Sequence, residues 1–153
     1  MTGFEIAIDH PRLRRFYEYW LSKCGPGKLP GRRDIDPVDI PELLPWMILI
    51  DPVLTPDGPR FRVRLVGTAI VTRAGRDTTG QWFEDLFLPQ DAARFSATYR
   101  EIMRTGRPHH AHTGYALDTA LGQGRLRYER LLCPLAADGV TVDMLAGVVA
   151  FED

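Results

Sequence analysis

Three histidines, His109, His110 and His112, have the types and spacing best suited to coordination chemistry. In an extended strand His110 and His112 share a face and His109 points away, so two imidazoles could meet one ion. No cysteine or carboxylate stands at a matching local spacing to add a third ligand, so the expectation is a strand start without a metal. The carboxylates Asp34, Asp36, Asp39 and Glu42 could do paired acid–base work. They lie beside Arg32 and Arg33 in a proline-rich stretch, which reads instead as capping and local ion pairing, and they do not follow a calcium-loop spacing. There is no Gly-x-Ser-x-Gly, and Ser22 and Ser96 fall on expected helices. Cys24 ends a helix, where the dipole disfavours a thiolate. Cys133 sits in an apolar strand. Gly75 to Gly80 lacks the lysine and spacing of a phosphate loop, and its glycines read as positions of positive φ. The expected catalytic set is therefore empty.

The elements that carry these residues can be read in order. Asp9-His10-Pro11 signals a helix start, and Gly25-Pro26-Gly27 ends a helix running from about Pro11 to Cys24. Leu13, Phe16, Tyr17, Trp20 and Cys24 form its apolar stripe. Phe4 to Ile8 alternates weakly, as a short strand or tail. Pro30, Pro37, Pro41 and Pro45 restrict the next segment to a single helical turn near Val38 to Leu44. Trp46 to Val53 reads as a strand stopped by Pro52, then a turn over Thr55 to Pro59. From Arg60, arginines alternate with Phe61, Val63 and Leu65. Gly67 breaks that strand, and Thr68 is placed to cap a short helix over Ala69 to Arg73. Trp82, Phe83, Leu86 and Phe87 are expected as buried anchors. Pro89 opens a long helix to about Thr105, closed by Gly106. Strands follow at His109 to Leu117, Leu126 to Leu135 and Val142 to Phe151, with turns at Gly122-Gln123-Gly124 and Ala137-Asp138-Gly139. This order gives a five-stranded antiparallel sheet with helices on one face, an α+β domain.

The chain has 153 residues, 44% hydrophobic and 25% charged, with a formal net charge of −1. That length suits one domain with a real core. The balance argues against binding nucleic acid or a membrane surface through bulk charge. Two isolated cysteines make no disulfide framework. The N-terminus lacks the pattern of a signal peptide, and no apolar run is long enough for a bilayer, so a reducing cytoplasm is expected.

Several stretches carry a resemblance to a known family: Phe16 to Pro37, Asp39 to Asp51, Phe61 to Leu86, and Arg127 to Gly139. Arg32 to Pro37, the Leu65-Val66-Gly67-Thr68 step, and Gly75-Arg76-Asp77 through Gly80 are the most specific parts. From about Leu13 to Val149 the chain resembles the PAS superfamily, and more closely the small single-domain PAS-like family of proteobacteria. The resemblance implies a sheet of order 2-1-5-4-3, an extra N-terminal helix, and a signalling role, usually without enzymatic activity. It implies a single domain over residues 1–153, with helix and connector over 1–45 and the core over 46–153. It brings no shared cofactor motif. A haem requires an axial ligand aimed into the pocket, and neither Ala69 to Arg73 nor Asp91 to Thr105 contains a histidine. A photoactive flavin requires a cysteine on the short helices, where there is none.

The expectation for function is a non-enzymatic sensory or regulatory module. It would bind a small apolar or amphipathic ligand, or a partner protein, and signal in trans, since the sequence given stops after its last strand. The alternatives are an interaction adaptor with a filled core, and a small carrier or enzyme using the same concavity. The expected pocket takes Phe61, Val63, Leu65 and Val148 from the sheet, and Ile70, Trp82, Phe83, Phe95 and Tyr99 from the helices. Thr68, Arg73 and Tyr115 are its polar groups. A homodimer is expected through Phe16, Tyr17, Tyr19 and Trp20, because the stripe is too wide for one side of a helix. Arg60, Arg62 and Arg64 read as a solvated face, with Glu129 a cross-sheet partner.

Overall fold

The computed structural model describes residues 6–119 and 122–152. Helix α1 (Pro11–Lys23) starts at His10, whose Nδ1 accepts the Arg12 N–H at 3.1 Å. Proline at the first helical position gives up an N–H that has no helical partner there. Ile6 to Asp9 is irregular, and the rest of the strand considered at Phe4 to Ile8 lies outside the described residues. The connector forms three 3₁₀ turns, Arg32–Asp34, Pro37–Asp39 and Leu44–Trp46, and buries Ile35, Ile40 and Leu43 between them. Its carboxylates cap local turns as expected, but their ion pairs run to α1 rather than to Arg32 or Arg33. Asp34 accepts the Gly31 N–H at 2.8 Å, Asp39 accepts the Tyr19 hydroxyl at 2.8 Å, and Glu42 pairs with Arg15 at 3.2 Å.

The remaining elements are β1 (Met47–Thr55), β2 (Gly58–Val66), α2 (Thr68–Ala74), α3 (Phe83–Leu86), α4 (Pro89–Thr105), β3 (His109–Thr119), β4 (Gly122–Leu135) and β5 (Met144–Glu152). The strands form one antiparallel sheet of order β2-β1-β5-β4-β3, the order expected. Helices α2 to α4 cover one face. There Ile50, Phe61, Val63, Leu132 and Leu145 pack with Phe83, Leu86, Phe95, Tyr99 and Ile102. Helix α1 and the connector cover the other face, over Met47, Leu49, Leu131, Cys133, Leu135, Ala146, Val148 and Ala150. The sheet is thus buried on both sides, and the extra helix lies opposite the others.

Three local expectations are corrected. Pro52 does not stop β1, which runs on to Thr55; pairing with β5 ends at Ile50, leaving a free side that tolerates a proline. The turn placed at Gly122 to Gly124 is strand: Gly122 pairs with Thr119 and Gly124 with Leu117. Gly67, not Thr68, is the N-cap of α2, and Thr68 is its first helical residue.

Both outer edges of the sheet are covered in part, near Val63 on β2 and near Gly114 to Ala116 on β3. On β2 the Val63 N–H donates to Gln81 O at 2.9 Å, and the Gly80 N–H donates to Val63 O at 2.7 Å. On β3 the Ala116 N–H donates to the buried Asp91 carboxylate at 3.1 Å, and Arg94 Nη2 donates to Gly114 O at 2.7 Å. Gly80 has φ +85°, and a Cβ there would meet nothing within 4 Å. Gly80→Ala therefore adds conformational strain without a clash, and is expected to cost about 1–2 kcal/mol in urea melts. A cost near zero would show that the edge loop relaxes freely.

Candidate functional site

Between the sheet and α2 to α4 lies a cavity of about 60 Å³. Ile50, Tyr128, Arg130 and Leu132 form its floor, and Ile70, Phe83, Phe87 and Tyr99 its roof. Its charged residue is unusual. Along β4, Leu126, Tyr128, Arg130 and Leu132 alternate toward the helices, so Arg130 takes a core position and is only 4% exposed. The guanidinium lies 5.8 Å from the Phe95 ring centre and 5.9 Å from that of Tyr99. Nη2 lies 3.3 Å from His109 Nδ1. Burial, then the nearby Arg130 charge, lowers the His109 pKa, which favours the neutral ring that can accept this hydrogen bond. Nε and Nη1 are buried without a hydrogen-bond partner, and no carboxylate among the described residues lies within ion-pair distance. A guanidinium stays charged, and buried charge is costly unless paired.

The twelve expected pocket residues scatter. Ile70, Phe83 and Tyr99 line the cavity. Phe61, Val63 and Phe95 are buried beside it as packed walls; Phe61 meets Tyr99 edge-on at 5.2 Å. Tyr115 meets Phe87 at a tilt, 4.7 Å between ring centres, outside the cavity lining, and burial pushes its hydroxyl pKa up to about 12. The rest are corrections. Register shifts between Leu49 and Ile50, so Leu49 pairs with Leu65 and Ile50 with Val63, leaving Arg64 as the extra residue. That bulge turns Leu65 to the α1 side, where it is 44% exposed. Val148 also faces α1, and its neighbour Val149 lines the cavity instead. Trp82 lies on the β2 edge beneath Arg60, whose Cζ is 4.1 Å from the ring centre. Arg73 is exposed, 5.7 Å above the Phe151 ring. Thr68 is exposed too, and with Leu65 borders an apolar groove of about 350 Å³ over Ile35, Ile40 and Met47. Arg130 was missed, although an arginine at an apolar-alternation position in β4 was its signal.

The expected dimer stripe is also corrected. Phe16, Tyr17, Tyr19 and Trp20 are all buried by their own chain. Trp20 Nε1 donates to Pro134 O at 2.9 Å, and Tyr19 is held under the connector by Asp39. The stripe is wide because α1 packs on the sheet and the connector together. Arg60 pairs with Glu84 and Arg64 with Asp51, whereas Glu129 holds His110 at 2.6 Å. Burial raises both thiol pKa values, Cys24 to about 11, so neither favours a thiolate nucleophile.

The sequence profile described as "PAS domain" matches residues 8–150. The chain belongs to the PAS domain family. Its fold is similar to that of a light-oxygen-voltage (LOV) domain studied with a flavin analogue: 13% identity, TM-score 0.52, covering 76% of this chain and 83% of that one. Another similar structure is the light state of the blue-light photoreceptor Aureochrome1 LOV, at 13% identity and TM-score 0.50, covering 75% and 87%. The LOV protein of Rhodobacter sphaeroides matches at 14% identity and TM-score 0.49, covering 90% of this chain and 66% of that one, just under two thirds of its length. No curated protein matches the chain in sequence. The residues of this PAS domain do not fit a flavin. The cavity of about 60 Å³ is far below the roughly 300 Å³ at which small-molecule pockets begin. Cys24 and Cys133 both belong to the α1 side of the sheet. Among the described residues no helix is long and apolar enough to cross a membrane.

Proposed function

We propose that this PAS domain is a sensory module in which Arg130 holds a small anion between the sheet and helices α2 to α4. The observation that carries this is the buried guanidinium with two N–H-bearing atoms unpartnered inside an aromatic-walled cavity. A carboxylate or nitrate offers the planar acceptors a guanidinium prefers. The cavity volume corresponds to about two waters, which limits the ligand to a few heavy atoms, of formate or acetate size. Binding would shift β4, whose next residue, Leu131, packs under α1 on the far face. That gives a route from the cavity to an exposed helix and to a protein partner.

The small cavity favours a second reading, an adaptor that works through contacts alone. Thermal melts of the full chain separate the two. Formate, acetate and nitrate salts would be compared with chloride at matched ionic strength, each in the parent and in Arg130→Met to remove the general salt effect. A fitting ligand at a hundred times its dissociation constant is expected to add about 2.7 kcal/mol. Equal melting points in every salt would leave the adaptor reading standing alone.

A further inference from the structure

We propose that His110, His112, Glu129 and Glu152 form a binding site for a divalent transition metal of the zinc class, on the sheet face opposite the cavity. The site is built by register. His112 pairs with Glu129 across β3 and β4, Glu129 with Ala150 across β4 and β5, and Glu152 stands two residues beyond Ala150. Alternation puts all four side chains on the face that carries Leu131 and Ala150. Glu129 is the third ligand that local spacing could not supply.

The donor atoms of His110, His112 and Glu129 all lie within 4.8 Å of one another. His110 Nε2 is 2.6 Å from Glu129 Oε2, and His112 Nδ1 is 2.5 Å from Glu152 Oε1. Tetrahedral donors about 2.0–2.1 Å from zinc lie roughly 3.3 Å apart. The hydrogen-bonded pairs therefore open by less than about 1 Å, and among His110, His112 and Glu129 no separation needs to close by more than about 1.5 Å. The side chains that must move are the free ones. His112 and Glu152 are 66% and 39% exposed, while His110 and Glu129, at 18% and 12%, are held in the sheet. Two neutral imidazoles and two carboxylates balance a divalent ion. Mixed nitrogen and oxygen donors favour zinc, cobalt, nickel or copper over magnesium or calcium. Arg127, opposite Glu152 in the register, is the neighbouring charge that competes for that carboxylate. Glu152 is accordingly the weaker donor, and a water can take its place.

The test is titration of the full chain, stripped with a chelator, with Zn²⁺ and Co²⁺ by calorimetry and visible absorption. One ion per chain is expected, with the intense visible bands of four-coordinate Co²⁺ and no displacement by excess Mg²⁺. His112→Ala changes an exposed residue and keeps the fold; it should weaken binding more than about a hundredfold, beyond the 10–100-fold typical of outer-shell partners. Glu129→Gln should do the same, and Glu152→Gln should cost about tenfold. Glu101→Gln, an exposed carboxylate on α4, should leave metal affinity unchanged. Six-coordinate cobalt spectra, or binding unchanged in His112→Ala with its melting point intact, would overturn the site.

Discussion

Arg130→Met is expected to melt higher than the parent chain in an anion-poor buffer, and to lose any response to formate, acetate or nitrate. Methionine matches the arginine in volume but needs no hydrogen-bond partner. The parent buries a charge whose Nε and Nη1 meet no acceptor, with His109 at 3.3 Å, the Tyr128 hydroxyl and the ring faces of Phe95 and Tyr99 as its neighbours. Replacing buried ion pairs with well-packed apolar residues is often neutral or stabilising by about 1–4 kcal/mol, and a charge without a carboxylate partner has still less Coulomb energy to lose. At this chain length that is roughly 2–4 °C for each kcal/mol. The sign is what matters: most core substitutions destabilise. A lower melting point for Arg130→Met in the same anion-poor buffer would show that the guanidinium is satisfied without a ligand, and would remove the ground for the proposed sensor.

Gly67→Val is expected to be the most damaging single change at the junction of connector and helix. Gly67 has an ordinary extended backbone, φ −68° and ψ 155°, so its conformation does not demand glycine. Space does. A Cβ would lie 2.3 Å from Pro45 O and 2.4 Å from Leu44 O, both backbone atoms. The Gly67 N–H also donates to Met47 O at 2.8 Å, which fixes the approach. Moving the Leu44–Trp46 turn aside disturbs the connector packed under α1. The expected loss is about 3 kcal/mol or more, at or above the upper end for overpacking. The clash begins at Cβ, so Gly67→Ala should already carry most of it. A melting point unchanged in Gly67→Ala would contradict this geometry.

Helix α1 and helix α4 were legible because each rests on periodicity and turn residues within its own segment, whereas the strand order followed from the family resemblance. The faces of the strands were not. Strand β5 is apolar at nearly every position because the sheet is buried on both sides, so alternation could not separate Val148 from Val149. The bulge at Arg64 leaves no mark in composition, and it moved Leu65 across the sheet. Trp82 read as core by type, yet the flanking strand arginines already offered it a surface partner. The histidine–glutamate cluster depended on register. A turn centred on Gln123 would set His112 opposite Pro134, whereas the actual hairpin sets it opposite Glu129. Arg130 was readable, but only as an arginine out of place in an apolar alternation.

The partly covered edges of the sheet have a consequence for how copies of this domain can meet. Unpaired strand edges are templates on which a second chain can add a strand, and from which aggregates grow. Here Gly80 and Gln81 occupy the backbone groups of Val63, and Asp91 and Arg94 occupy those of Ala116 and Gly114. A strand added along either edge would have to strip these hydrogen bonds at the middle of β2 or the later half of β3. Full-length sheet extension is therefore disfavoured, which favours docking on side chains, whose identity can be selective, over docking on backbone, which is common to all proteins.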